Sequence, residues 1–426
     1  MPEAAVATRI MKAVDAGFDE QVQFTQELVR FPSLRGREHT AQDFMAGAFR
    51  ERGLTVDRWQ IDVDEIRHLP GFSPVSVSYE NAFNVVGSHR AESPKGRSLI
   101  LNGHIDVVPE GPHEMWTNPP FEPRIDGEWM YGRGSGDMKA GLAGCLFALD
   151  ALKRAGLRPA ADVFVQSVVE EECTGNGALA CLARGYRAQA AVIPEPMGDN
   201  LLKAQIGVIW FQVKVQGVPT HVAYADSGSN AIDAAFALIQ GLKGLERRWN
   251  EEKSNYPDYA GHHHPINLNV GKIAGGDWAS SVPSWCVFDV RVAIYPGDDL
   301  AARTAEIEAC LHDAARADAF LRNAPPQITY NGFLAEGYEL RDADEAIAVL
   351  SGAHQAAYGE ALEQIASTAT TDARFFGLYA DTPGLVYGPR SESIHGFDER
   401  VNLESVRRNT QAIALFIADW CGLGTV

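Results

Sequence analysis

Val163-Phe164-Val165-Gln166-Ser167-Val168-Val169-Glu170-Glu171-Glu172 holds the main features of the fold in ten residues. A short apolar run without alternation suits a strand buried on both faces, as in a parallel or mixed sheet covered by helices. The run breaks abruptly into three carboxylates, which places the acids at the strand's carboxyl end. Glycine follows at Gly175 and Gly177, where a loop must turn.

The same pattern recurs on either side. Residues 83–87 (FNVVG), 98–102 (SLILN), 190–193 (AAVI) and 384–387 (GLVY) read as further short apolar strands. Helical periodicity marks 8–31, ended by Pro32, and 40–52, with Thr40 as a candidate N-cap. Residues 141–155 read as a buried helix through Leu142, Cys145, Leu146, Leu149 and Leu152. Residues 342–357 and 404–420 read as two more helices. Alternating strands and helices predict an α/β domain whose ligands lie beyond the carboxyl ends of its strands. His104, Glu171, Glu172 and Glu195 all fall there.

Between these halves the period changes. Residues 207–217 (GVIWFQVKVQG) alternate as a half-buried antiparallel strand does. Helices at 231–245 and 298–315 and strands at 266–273, 284–294 and 327–330 complete an α+β unit. The expected organisation is an α/β catalytic domain, 1–205 and 332–426, with a mixed sheet covered by helices. The smaller α+β lid, 206–331, is inserted into it, with hinges near Gln205 and Gly332.

At 426 residues the chain exceeds one ordinary core, and 46% hydrophobic with 22% charged residues is globular composition. A net charge of −19 argues against nucleic acid or an anionic membrane surface as partner. The six cysteines form no CxxC pair, which fits a reduced, cytoplasmic setting. No apolar leader and no 18-residue apolar stretch is visible, so neither a signal peptide nor a membrane span is expected.

His104 (LNGHID), Asp137 (GSGDMK), Glu172, Glu195 (IPEPM) and His395 (SIHGF) stand where apolar runs give way to glycine-, proline- or acid-rich loops. Singly, each has an ordinary reading: a strand-end histidine, a turn aspartate, a solvated charge run. Together, two imidazoles and three carboxylates suit borderline divalent metals, and five protein ligands are one too many for an ordinary catalytic site. If one carboxylate bridges, each of two metals has three protein ligands and an open position. Zinc is the default ion, with cobalt and manganese also compatible.

With GHIDVVP, GRGSGDMKAG, EEECTGNGA, PEP and a distal HGFDE in this order, the chain resembles the acetylornithine deacetylase and succinyl-diaminopimelate desuccinylase family. Aminoacylase, carnosine dipeptidase and carboxypeptidase G are relatives of that family. The likeness runs from FTQELVRFPSL to HGFDERVNLES. It implies that Asp137 bridges two metals, that Glu172 and His395 complete one site, and that His104 and Glu195 complete the other. It also implies that Asp106 fixes the His104 tautomer, that Glu171 is the general base, and that His221 from a partner subunit stabilises the oxyanion. A homodimer through the inserted domain follows from the same resemblance. For the substrate carboxylate it implies Arg291 in FDVRV and, where relatives carry asparagine, Ser281 in SSVP. Arg390 in YGPRSES and Arg374 in TTDARFF are further candidate anion contacts.

The expected activity is metal-dependent hydrolysis of the amide of an N-acylated amino acid or a similar small carboxylate. The alternatives are a metallodipeptidase, or a hydrolase of an aromatic or foreign amide or amine. A silent metal-binding protein is a remoter one, since binding alone needs no base.

Overall fold

A computed structural model describes residues 2–425. Val163–Val168 and Leu99–His104 form the heart of a mixed sheet, paired in parallel, and every residue in both strands is buried. Ala191–Ile193 continues the parallel run beside Leu99–His104, and Gly384–Tyr387 lies parallel beyond it. These four strands therefore end on the same side, followed by His104, the 170–172 acids, Glu195 and the His395 loop. Antiparallel strands extend both edges: Phe83–His89 with Thr55–Gln60 on one, and Leu201–Gln205 with Tyr338–Glu339 on the other. Gln364–Ser367 adds a parallel partner to Leu201–Gln205.

Helices cover the sheet. Ala140–Arg154 buries almost its whole surface, and Ala4–Val29 and Leu403–Trp420 pack beside it. Asn402 caps the last helix, its Oδ1 accepting from the Ser405 N–H at 2.9 Å. The expected cap at Thr40 is corrected: the helix is His39–Glu51, Thr40 lies inside it, and Glu38 holds the N-cap position without a side-chain cap bond. Glu38 is instead turned into the protein at 1% exposure.

The inserted unit is built on the sheet order Leu268–Gly275, Trp285–Ile294, Gly207–Gln216, Gln327–Ala335, all antiparallel. Ala231–Glu251 and Leu300–Ala317 cover one face and close a second core around Phe211, Leu238, Trp249 and Phe288. Asn230 and Asp299 cap these helices, as their side-chain acceptors allow. The strand expected to stop at Tyr330 runs to Ala335, so Gly332 lies within a strand and is not a loop hinge. Its lack of a side chain has a packing cause: a Cβ there would stand 2.5 Å from Cε3 of Trp210. The chain crosses between the sheets at Ile206 and at 336–337. Among the described residues, no helix is long and apolar enough to cross a membrane.

Candidate active site

The turn after Val163–Val168 is held from behind. Glu170 adopts φ 68° and its carbonyl accepts from the N–H groups of Thr174 and Gly175 at 2.9 and 2.7 Å. A left-handed glutamate is unfavourable, and tertiary contacts must maintain it. They do: Arg35 donates to both Glu170 oxygens at 2.5 and 2.7 Å, and the Tyr79 hydroxyl donates at 2.7 Å. The first of the three glutamates is thus a buried anchor that presents the next two to the cavity.

His104 is 1% exposed. Its Nδ1 donates to the Asp106 backbone carbonyl at 2.9 Å, while the Asp106 carboxylate stands off at 3.7 Å. The role expected of the Asp106 side chain is therefore corrected: the carbonyl, a pure acceptor, sets the tautomer and leaves Nε2 facing the cluster. The Asp106 carboxylate accepts instead from the Glu172 N–H at 3.1 Å and so positions the neighbouring acid.

Asp137 lies between the histidines. Its Oδ1 is 3.1 Å from His104 Nε2, and its Oδ2 is 3.4 Å from His395 Nε2. Glu195 Oε1 is 3.6 Å from His104 Nε2, and Glu172 Oε2 is 3.1 Å from His395 Nε2. Ligand atoms of His104, Asp137 and Glu172 lie within 4.8 Å of one another, and so do those of His104, Glu171 and Glu195. Glu171 Oε2 is 3.8 Å from His104 Nε2.

The electrostatics follow from the crowding and burial of these groups. Burial raises the Glu171 pKa well above the usual carboxylate range, and the Glu195, Asp372 and Glu172 charges add to it against His104. Burial likewise pushes Glu195 up to about 7. Burial opposes charge on His104, but the Glu195, Asp137 and Glu171 carboxylates outweigh it and raise the ring's pKa well above normal. Glu172 chiefly, then Asp137, raise His395 to about 11. Asp137 is held low by its two histidines despite burial. Among the described residues, Glu195 Oε1 and Asp106 Oδ1 are buried with no hydrogen bond, the His104 ring standing off at 3.6 and 3.7 Å. Crowded acids with orphaned oxygens fit divalent cations, and the nitrogen and oxygen donor set suits borderline ones.

Above the cluster is a cavity of about 560 Å³, lined on one side by Asp137, Glu171, Glu172, Glu195 and His395. Arg291, from the inserted sheet, is also in the lining. His221 does not reach this cavity: it is exposed on the inserted unit, where it bridges to Ser281, and its Nδ1 accepts from the Ala223 N–H at 3.1 Å. Ser281 lines a different surface depression, with Trp278. Arg390 points away, 58% exposed, with Asp199 Oδ2 3.2 Å from its guanidinium. Arg374 is 1% exposed beneath the acidic turn, donating to the Thr174 carbonyl at 2.9 Å. Neither Arg390 nor Arg374 lines the cavity, so the anion-contact role expected of them has no geometric support in this chain.

Two acids carry structural weight that the sequence did not reveal. Asp372 is 2% exposed, with Oδ2 unpartnered, and burial raises it to about 8 beside Arg374, His104 and Glu195. Glu399, the last residue of HGFDE, accepts from the Gly134, Gly136 and Asp137 N–H groups at 3.0, 2.9 and 3.0 Å, and from Arg133 at 2.6 Å. The only signal for either was an acid within an already quoted motif.

A helix-covered mixed sheet with such a cluster at the carboxyl ends of its parallel strands is the setting of a metal-dependent hydrolase. Residues 100–419 match peptidase family M20/M25/M40, and the chain belongs to that family. It is 29% identical, over 99% of both chains, to an N-formyl-4-amino-5-aminomethyl-2-methylpyrimidine deformylase of Halalkalibacterium halodurans. It is 28% identical, over 90% of its length and 95% of the relative, to a succinyl-diaminopimelate desuccinylase of Stenotrophomonas maltophilia. Human carnosine dipeptidase 1 shares the fold, with a TM-score of 0.77 at 14% identity over 97% of this chain and 99% of that one.

Proposed function

We infer that this chain hydrolyses the amide bond of a small N-acyl amine, releasing a short acyl group as the carboxylate. The observation that carries the reading is Asp137, whose two oxygens face His104 and His395 from opposite sides. Asp137 would bridge two ions, with His104 and Glu195 completing one site and Glu172 and His395 the other. Zinc is the first choice of ion, then cobalt or manganese. When bound, such ions lower the pKa of a water and polarise a carbonyl.

Glu171 is then the group left to move protons. It takes one from the water as the new C–O bond forms, and delivers it to the departing nitrogen as the C–N bond breaks. Burial suits it to hold that proton between the steps. Arg291, facing no carboxylate of its own, holds an anionic or polar part of the substrate.

His221 cannot serve its own cavity from where it lies, so an oxyanion contact requires His221 of the partner subunit. That is a homodimer through the inserted unit, with a lid that its last strand carries on from 331 to 335, and with 1–205 and 336–426 as catalytic domain. The deformylase relatives support a formyl group as the acyl part, and the desuccinylase relative supports a larger one. An aromatic amine part is the second reading, and the deformylase relatives' pyrimidine favours it.

The test is a panel of N-formyl, N-acetyl and N-succinyl amines with metal-reconstituted protein and a chelated control. Glu171→Gln should retain both metals and lose about 10²–10⁴-fold in kcat. Undiminished turnover in that variant would refute the assignment.

A further inference from the structure

The part of the cavity lining that the inserted sheet supplies has a composition that amide hydrolysis alone does not require. Antiparallel register sets Trp210 opposite Arg291, and Arg291 opposite Asn269. Directly opposed residues share a face, so these three side chains form a row across three strands. All three line the cavity, with Val208 and Phe333 beside them.

The aromatic part of this wall is fixed in orientation. The Trp210 indole meets the Phe333 ring edge to face, with centroids 5.3 Å apart and planes at 89°. Gly332 makes room for it: a Cβ there would stand 2.5 Å from the indole and 3.2 Å from the Cys173 carbonyl oxygen. The missing side chain leaves Gly332 between the indole and the residue that follows Glu172.

The polar end of the row is uncommitted. Among the described residues, the Arg291 guanidinium donates only to the Asn267 and Thr368 carbonyls, at 3.5 and 3.4 Å, and Asn269 is exposed and in the cavity lining. A rigid aromatic surface ending in a cation and an amide complements a flat ring with acceptor atoms on its edge. A flexible aliphatic amine would instead cover less of this flat apolar surface, and its ammonium would lie near the Arg291 cation.

Resting on the amide hydrolysis inferred above, we propose that the amine half of the substrate is a flat, acceptor-bearing heteroaromatic ring. Trp210 and Phe333 select it by its face, and Asn269 and Arg291 by its edge. The ring belongs to the amine fragment whose nitrogen loses the acyl group.

Two substrates with the same acyl group separate the possibilities: N-formyl-3-aminomethylpyridine and Nα-formyl-lysine, each with full-length, metal-reconstituted protein. The expected result is a kcat/KM at least about tenfold higher for the pyridine. Trp210→Leu should cut that value about 30-fold, mainly through KM, and leave formyl-lysine within about threefold. Trp210→Phe should restore most of the loss. Asn269→Ala, at an exposed position that does not threaten folding, should cost the pyridine alone about fivefold.

Equal turnover of both substrates, or equal loss of both in Trp210→Leu, overturns the proposal. Fluorescence titration with 3-aminomethylpyridine distinguishes the two layers of inference. Ring binding that weakens in Trp210→Leu without any formyl release would keep the ring assignment and sink the amide reading. Neither binding nor turnover would sink both.

Discussion

Glu399→Gln should separate the two loops that carry Asp137 and His395. In the native protein, Glu399 Oε1 accepts from the Gly136 and Asp137 N–H groups, and Oε2 accepts from Gly134 N–H and Arg133 Nη1. All four partners are donors. Burial and the Asp137 charge push the glutamate's pKa up, and Arg133 and the amides pull it down. Whichever way a glutamine amide turns, its NH₂ meets two donors, and Arg133, itself 2% exposed, loses its counter-charge. Breaking a buried ion pair from one side costs about 3–5 kcal/mol, a large share of the roughly 5–15 kcal/mol that holds a domain together. Urea unfolding of the metal-free protein should show that loss. Calorimetric metal titration should show weakened binding, because Asp137 is no longer held by its backbone. Adding Arg133→Met should recover part of the stability, since it removes the uncompensated cation, and the double-mutant cycle gives the coupling. A loss below about 1 kcal/mol with two metals still tightly bound would refute the reasoning.

Three further outcomes are expected. Burial and the Asp106 charge hold Glu38 protonated, pushed from 4.5 to about 8. Its protonated form therefore favours folding below the unfolded value, and that contribution is lost as pH rises toward 8. Glu38→Gln should leave stability nearly unchanged near pH 5 and raise it near pH 8.5; an equal effect at both, by urea midpoint, would count against this. Arg35→Leu strands Glu170 and should cost about 3–5 kcal/mol and lower kcat more than it changes KM. Arg35→Lys should rescue little, because one ammonium cannot span both oxygens, and full rescue would show that charge alone matters. The raised His104 and His395 rings hold protons that a metal must displace, so zinc affinity should fall from about pH 8 to about pH 6 with measurable proton release. Affinity independent of pH would contradict that linkage.

Much of this was legible in the chain because short-range chemistry wrote it. An apolar run cut off by acids, as at 163–172, reports both a buried strand and the position of its carboxyl end. His104, Glu195 and His395 were marked by the same contrast between a dry segment and a polar loop. The switch to period two after Gln205 announced the inserted sheet. What the tertiary structure decided are relations between residues far apart in the chain, to which local pattern is blind. Sequence could not tell that the Asp106 carbonyl, not its carboxylate, would meet His104, nor that Arg35 would neutralise Glu170 across 135 positions. It offered Arg390 and Arg374 as further anion contacts beside Arg291, because a guanidinium carries the same charge anywhere. Only packing buries Arg374, pairs Arg390 with Asp199 and leaves Arg291 facing the cavity. Trp210 read as an ordinary strand residue and Phe333 lay beyond the expected strand end at Tyr330, until the folded chain set both in one cavity lining with the carboxylates. Burial and pairing are set by the whole fold, and they determine which charges remain free to do chemistry.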